Sequence, residues 1–385
     1  MEDKHMLMIP GPTPVPEQVL LEMAKHPIGH RSAAFSKIMA EVTENLQWLF
    51  QTKNDVFCLA ASGTGAMEAG LINFINAGDK VLVGENGKFG ERWAIICDTY
   101  GMDVERVKAP WGEALDPAIF KAKLEADTAK EIKAVVITHS ETSTGVLNDL
   151  ETISGYVKAH GALMIVDAVT SLGSCNVPTD AWGLDVVASG SQKGFMLPPG
   201  LGFVSVSDKA WAAYEHAKIP RFYLDLKSAQ KNLAKNTTPF TPPVNLIFGL
   251  KASLAMMKRE GLENIFARHK RLTEATRAAV KALGLKTFAP DGNASTAVTA
   301  VDPAPLGAED VRKAIAQQFD ISLAGGQDDY KGKIFRIGHL GFVHDRDILT
   351  AIAALEATLH GLGHTDFESG AGVKAAATVF QKSAS

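Results

Sequence analysis

The sequence predicts an α/β protein with a large part built on a mostly parallel sheet between helices, followed by a smaller α+β part. Three observations predict it. Short unbroken apolar runs recur at 56–60, 81–83, 134–137, 162–166 and 186–188, several of them separated by helix-length segments. Runs without polar alternation, such as Leu163-Met164-Ile165-Val166, fit strands covered on both faces, as in parallel sheets flanked by helices. Farther on, helical spacing dominates in Leu272, Ala275, Ala279 and Leu283, in Val311, Ile315 and Phe319, and in Ile348, Ile352, Leu355 and Leu359, around candidate strands at 297–301 and 333–337.

In chain order, residues 1–16 contain Pro10, Pro12, Pro14 and Pro16, whose fixed dihedrals and missing amide donors predict an extended arm. Residues 17–243 form the expected large domain. Its end is marked by Thr237-Thr238-Pro239-Phe240-Thr241-Pro242-Pro243, after which a helix over 244–262 bridges to a small domain over 263–363. The tail, 364–385, is rich in Gly, Ala and Ser with weak periodicity, and is expected to be loosely held.

A formal net charge of -4, with no run of five like charges, gives no footprint for nucleic acid or an anionic membrane and favours small-molecule partners. Cys58, Cys97 and Cys175 lie far apart and match no metal or disulfide spacing, so they are expected to be reduced and structural. His26 and His30 are four apart, but Pro27 and Gly29 break the helix that would align them on a metal. The early prolines interrupt any signal-peptide core, no stretch approaches the roughly 20 apolar residues of a membrane span, and the final Lys-Ser-Ala-Ser is no retention address. A cytoplasmic enzyme without a metal is the expectation.

In parallel sheets the ligand lies beyond the carboxyl ends of the strands, so the residues just after each apolar run become candidates for chemistry. The first run is followed by Ala61-Ser62-Gly63-Thr64-Gly65 and a helix-compatible segment, where free amides and the helix dipole can cradle an anion. It matches neither nucleotide-binding glycine pattern. Asp167 ends the fourth run, and a buried carboxylate needs a partner such as a protonated ring nitrogen. Lys193 follows the fifth run in Ser189-Gly190-Ser191-Gln192-Lys193-Gly194, where partial burial would lower its pKa and favour imine formation with an aldehyde. Each has an ordinary alternative: a tight turn, a loop-capping acid, a solvated lysine. Together they are the three anchors that a pyridoxal-phosphate enzyme requires.

The sequence resembles the class V aminotransferases of the fold-type I pyridoxal-phosphate superfamily, in the alanine-glyoxylate and serine-glyoxylate (serine-pyruvate) branch, over nearly its whole length. The resemblance is carried by Pro10-Gly11-Pro12-Thr13, Gly29-His30-Arg31-Ser32, Ser62-Gly63-Thr64-Gly65, Glu141-Thr142-Ser143-Thr144-Gly145, Val166-Asp167-Ala168, Ser189-Gly190-Ser191-Gln192-Lys193 and Arg336-Ile337-Gly338. It implies a seven-stranded large-domain sheet, with Lys193 carrying the cofactor as an imine and Asp167 pairing with its ring nitrogen. Ser62, Gly63, Thr64 and Gln192 are implied to hold the phosphate, and Thr142 to lie on the cofactor's phenolic-oxygen side. Phe89 stands where relatives stack a tryptophan on the ring. Arg336 is implied to bind the substrate α-carboxylate as a two-pronged fork, with the Gly11 backbone opposite. Thr241 matches a phosphate ligand donated by the neighbouring subunit, which implies a homodimer with shared active sites. Thr238 departs from the pattern: relatives carry a tyrosine there, and the shorter side chain leaves its phosphate contact to water or Asn236.

The implied reaction is ping-pong transfer of the amino group of a small amino acid, alanine or serine, to a 2-oxo acid, glyoxylate or pyruvate. Cysteine desulfuration is disfavoured because no cysteine follows Cys175. Aminoethylphosphonate or ureidoglycine transamination shares the same anchors and stays open. A non-enzymatic subunit of a complex is the remaining alternative, opposed by the intact Lys193, Asp167 and Arg336.

Overall fold

The apolar runs pair into one seven-stranded sheet in the computed structural model, which describes residues 5–383. Part of the expected arm (1–4) and of the expected tail (384–385) lies outside the described residues. In spatial order the strands are Asp55–Ala60, Leu201–Val206, Val186–Gly190, Leu163–Asp167, Ile132–Thr138, Lys80–Glu85 and Asp103–Lys108. All neighbouring pairs are parallel except those made by Leu201–Val206, which is antiparallel to both of its neighbours. Two strands are absent from the predicted runs for physical reasons. Asp103–Lys108 is an edge strand of mostly exposed or half-buried polar residues, and Gly202 and Ser205 interrupt the apolar character of the wholly buried Leu201–Val206.

The strand alternation divides the side chains between two cores. Val135, Ile137, Met164 and Val166 face the helices Ala33–Phe50 and Val244–Glu260 on one side. Ala134, Val136 and Ile165 face Gly63–Ile72 and Lys88–Thr99 on the other. The predicted bridging helix thus packs on the large sheet, and Gly261, at φ +84°, turns the chain into the next helix, Leu262–Ala282.

A five-stranded sheet with the order Met6–Met8, Ile321–Gly325, Phe335–Gly338, Val298–Asp302 and Lys286–Thr287 organises the third core. The N-terminal arm therefore does more than lie across the surface. Its segment Met6–Met8 is an edge strand, pairing in parallel with Ile321–Gly325.

The expectation of a loosely held tail is overturned. Ala371–Ser383 is a helix, with Ala376 buried and Phe367, Val373 and Phe380 packed on the third core. Its small residues hid this: a Cβ added at Gly372 would come within 3.0 Å of Ile352 and Leu283, so close approach replaces a strong apolar stripe. Among the described residues, no helix is long and apolar enough to cross a membrane.

Candidate active site

Burial of the parallel strands dictates where the site forms, because their last residues emerge at one edge of the sheet. Asp167 closes Leu163–Asp167, Lys193 follows Val186–Gly190, and the helix Gly63–Ile72 begins just beyond Asp55–Ala60. These elements, with Gly11, Phe89 and Gln192, line one cavity of about 300 Å³.

At its helix end, Ser62 is the N-cap and its hydroxyl accepts the Gly65 amide at 3.3 Å. The amides of Gly63 and Thr64, in the first turn, have no intrahelical acceptor. Glycine is needed at 63 because a Cβ would come within 2.9 Å of Val169. The side-chain oxygen of Gln192, in the same wall, is buried without a hydrogen-bond partner.

Elsewhere in the wall, Asp167 is 4% exposed and its carboxyl is pushed up to about 7, chiefly by burial. The Val169 amide, donating to Oδ1 at 2.8 Å, opposes the shift, and the neighbouring Glu141 adds to it. Burial pushes the Lys193 ammonium down to about 8, with Arg336 repelling it and Asp167 partly compensating. The arm closes over this lysine. Lys193 Nζ donates to the Pro10 carbonyl at 2.5 Å, the Thr13 amide donates to the Gln192 carbonyl at 3.1 Å, and Thr13 Oγ1 donates to the Lys193 carbonyl at 3.0 Å. Gly11 has φ +143°, and a Cβ there would lie 2.6 Å from Lys193 Nζ.

Phe89 opens the helix Lys88–Thr99, with its amide held by the Glu141 carboxylate at 3.0 Å. Three predicted residues stand outside the cavity wall. Thr142 lies one layer behind it, its hydroxyl 2.7 Å from that of the wall residue Thr170. Arg336 is 7% exposed in Phe335–Gly338; Nε donates to the Gly325 carbonyl and Nη1 to the Thr142 carbonyl, both at 2.9 Å. Its expected fork is thus partly committed to backbone, and Nη2 has no hydrogen-bond partner among the described residues. Thr241 is exposed. The Thr238 hydroxyl donates to the Phe240 carbonyl at 2.7 Å, and the Thr238 carbonyl accepts from Arg31, so this residue is tied into its own turn; Asn236 is exposed.

Two charged residues received no role in the sequence reading. Glu141 is wholly buried and accepts the amides of Phe89, Gly90 and Ser143; as an acid in a Ser/Thr/Gly run just after Ile132–Thr138, it could have been found by the strand-end rule. Arg92 lines the cavity from the helix Lys88–Thr99, and nothing in its local sequence distinguishes it from a surface arginine.

These residues fit pyridoxal phosphate. Helix-end amides and hydroxyls suit its phosphate, the buried Asp167 carboxyl suits a protonated ring nitrogen, and an amine lowered to about 8 is ready for an aldehyde. The aminotransferase class-V family matches residues 5–331. The chain is 65% identical to a Synechococcus sp. (strain PCC 6716) protein named as the small subunit of a soluble hydrogenase, over 98% of this chain and 99% of that one. It is 40% identical to the L-aspartate–glyoxylate aminotransferase of Paracoccus denitrificans (strain Pd 1222), over 98% and 96% of the two chains. The solved alanine–glyoxylate aminotransferase of Nostoc sp. superposes with a TM-score of 0.88 at 31% identity, over 93% and 96%. With its family matched over most of its length, the chain belongs to the class V aminotransferases and is a pyridoxal-phosphate-dependent transaminase.

Proposed function

We propose that this enzyme transfers the amino group of a small amino acid, alanine or serine, to glyoxylate or pyruvate by a ping-pong mechanism. The observation that carries the reading is the shared cavity of Lys193, Asp167 and the N-terminus of Gly63–Ile72. Glyoxylate as acceptor is supported by the names of two transaminase relatives, and alanine as donor by one of them.

Lys193 is the proposed covalent anchor and, once displaced by the donor, the base that takes the proton from the donor's Cα. An amine lowered to about 8 suits both tasks. The cofactor, when bound, supplies the sink for the electron pair left at Cα. Asp167 is proposed to hold the ring nitrogen protonated, and Ser62, Gly63, Thr64 and Gln192 to bind the phosphate. Phe89 offers a flat face to the ring, Thr142 supports the wall through Thr170, and Arg336 takes the substrate carboxylate through its remaining N–H groups. The Gly11 backbone closes the far side.

Thr241 is read as a phosphate ligand for a neighbouring copy in a homodimer, which suits its exposure in the single chain. We read residues 17–243 and 263–363 as large and small domains, and the compartment as cytoplasmic.

The test is to purify the protein, record the visible absorption of its bound cofactor, and screen alanine, serine and aspartate against glyoxylate and pyruvate. Transfer from alanine or serine to glyoxylate or pyruvate is expected. Absence of pyridoxal phosphate, or a preference for aspartate, would overturn the respective part. The name of the cyanobacterial relative favours a second reading, a subunit of a redox complex. Its prediction is a transaminase that copurifies with hydrogenase activity.

A further inference from the structure

Arg92 is the charged cavity residue to which the proposed function gives no task. It stands in the second turn of Lys88–Thr99, its guanidinium carbon 4.6 Å from the centroid of the Phe89 ring. Its Nη1 donates to Thr64 Oγ1 at 3.0 Å, its sole hydrogen-bond partner among the described residues. A guanidinium facing a cavity without a carboxylate partner is a site for an anionic ligand.

The surroundings of Thr64 select which anion. A hydroxyl can donate one proton and accept at its lone pairs. With a guanidinium donating to its oxygen, Thr64 is left its own proton to donate, at the helix end where the Gly63 and Thr64 amides are unpaired. A donating hydroxyl beside two amides and a fixed cation matches a phosphate ester.

We propose that Arg92 is a positioning residue for the cofactor phosphate: it fixes Thr64 as a hydrogen-bond donor and holds a positive charge beside the phosphate-binding helix end. This rests on the cofactor reading above. The competing use of the same cation, binding the second carboxylate of an acidic amino donor, is an outcome of the test.

The experiment compares pyridoxal phosphate with pyridoxal, which lacks the phosphate, by titrating cofactor-free protein and following tryptophan fluorescence. Wild type is expected to bind pyridoxal phosphate far more tightly than pyridoxal. Arg92→Gln is expected to lose about 10- to 100-fold in affinity for pyridoxal phosphate, the worth of a charge-assisted hydrogen bond, while its affinity for pyridoxal changes by less than about threefold. Arg92→Lys should recover part of the loss. Thr64→Val should reproduce it, and the double variant should lose less than the two single losses combined, because both act on one contact. Equal losses for both ligands, an unchanged preference for pyridoxal phosphate in Arg92→Gln, or a selective loss of aspartate turnover with cofactor binding intact would each overturn the inference. If wild type itself shows no preference for the phosphorylated ligand, the cofactor reading fails first.

Discussion

Two sheets contribute to the site in different ways. The parallel sheet presents Asp167 and Lys193 at or just beyond the ends of buried strands, where chain direction alone brings them to one edge. The five-stranded sheet presents Arg336 from within a buried strand, anchored to the Gly325 carbonyl in its own sheet and to the Thr142 carbonyl of the other part. Burial acts on all three, raising the Asp167 carboxyl and lowering the Lys193 ammonium and the Arg336 guanidinium, the last to about 10. The difference teaches that the first sheet places its polar residues by chain direction, whereas the second places Arg336 by docking against the other part.

Breaking the parallel-sheet side should have the largest effect. Lys193→Ala is expected to lower kcat by about 10²–10⁴-fold or more, the range for removing a general base, and to let the cofactor dialyse away. Steady-state rates and the visible spectrum check both. Asp167→Asn should cost about 2–5 kcal/mol in kcat/KM, as when one partner of a buried charge pair is truncated.

The same variant gives a stability test with a defined sign. The folded pKa of Asp167, about 7, lies above its ordinary value of 3.8, so its contribution is full below about 3.8 and is lost as pH rises through 7. Melting curves of cofactor-free protein should therefore shift in favour of Asp167→Asn relative to wild type between pH 5 and pH 8. A constant difference would show that the carboxyl is not destabilised by burial.

On the docking side, Arg336→Lys should raise the KM for alanine by roughly 10-fold with a smaller change in kcat, since a point charge replaces a planar fork. Equal changes in both would mean that the arginine holds the two parts together rather than the substrate. Gly11→Ala should displace the arm, at about 1–3 kcal/mol for strain at its positive φ, and expose Lys193 to solvent. Hydrogen exchange in residues 6–13 reads this directly. The smallest effect on chemistry should come from deleting residues 371–385. That deletion uncovers the third core and lowers Tm by several degrees, while cofactor affinity stays within about twofold.

Much of this contrast is legible along the chain. Unbroken apolar runs mark the fully covered strands, and the rule that ligands gather at their carboxyl ends leads to Ser62, Asp167 and Lys193 without coordinates. Polar Asp103–Lys108 escaped because an edge strand need not be apolar, and Ala371–Ser383 escaped because close approach of small residues leaves little hydrophobic signal.

Local sequence and strand direction determined the α/β fold, the phosphate-cradle candidate and the order of the anchors, because periodicity and chain polarity are properties of the chain itself. The tertiary structure alone decided that Pro10 and Gly11 press on Lys193, that Thr142 supports the wall while anchoring Arg336, and that Arg92 points at Thr64. Those are contacts between segments tens to hundreds of residues apart, and their directions arise only when packed elements fix where each side chain can reach.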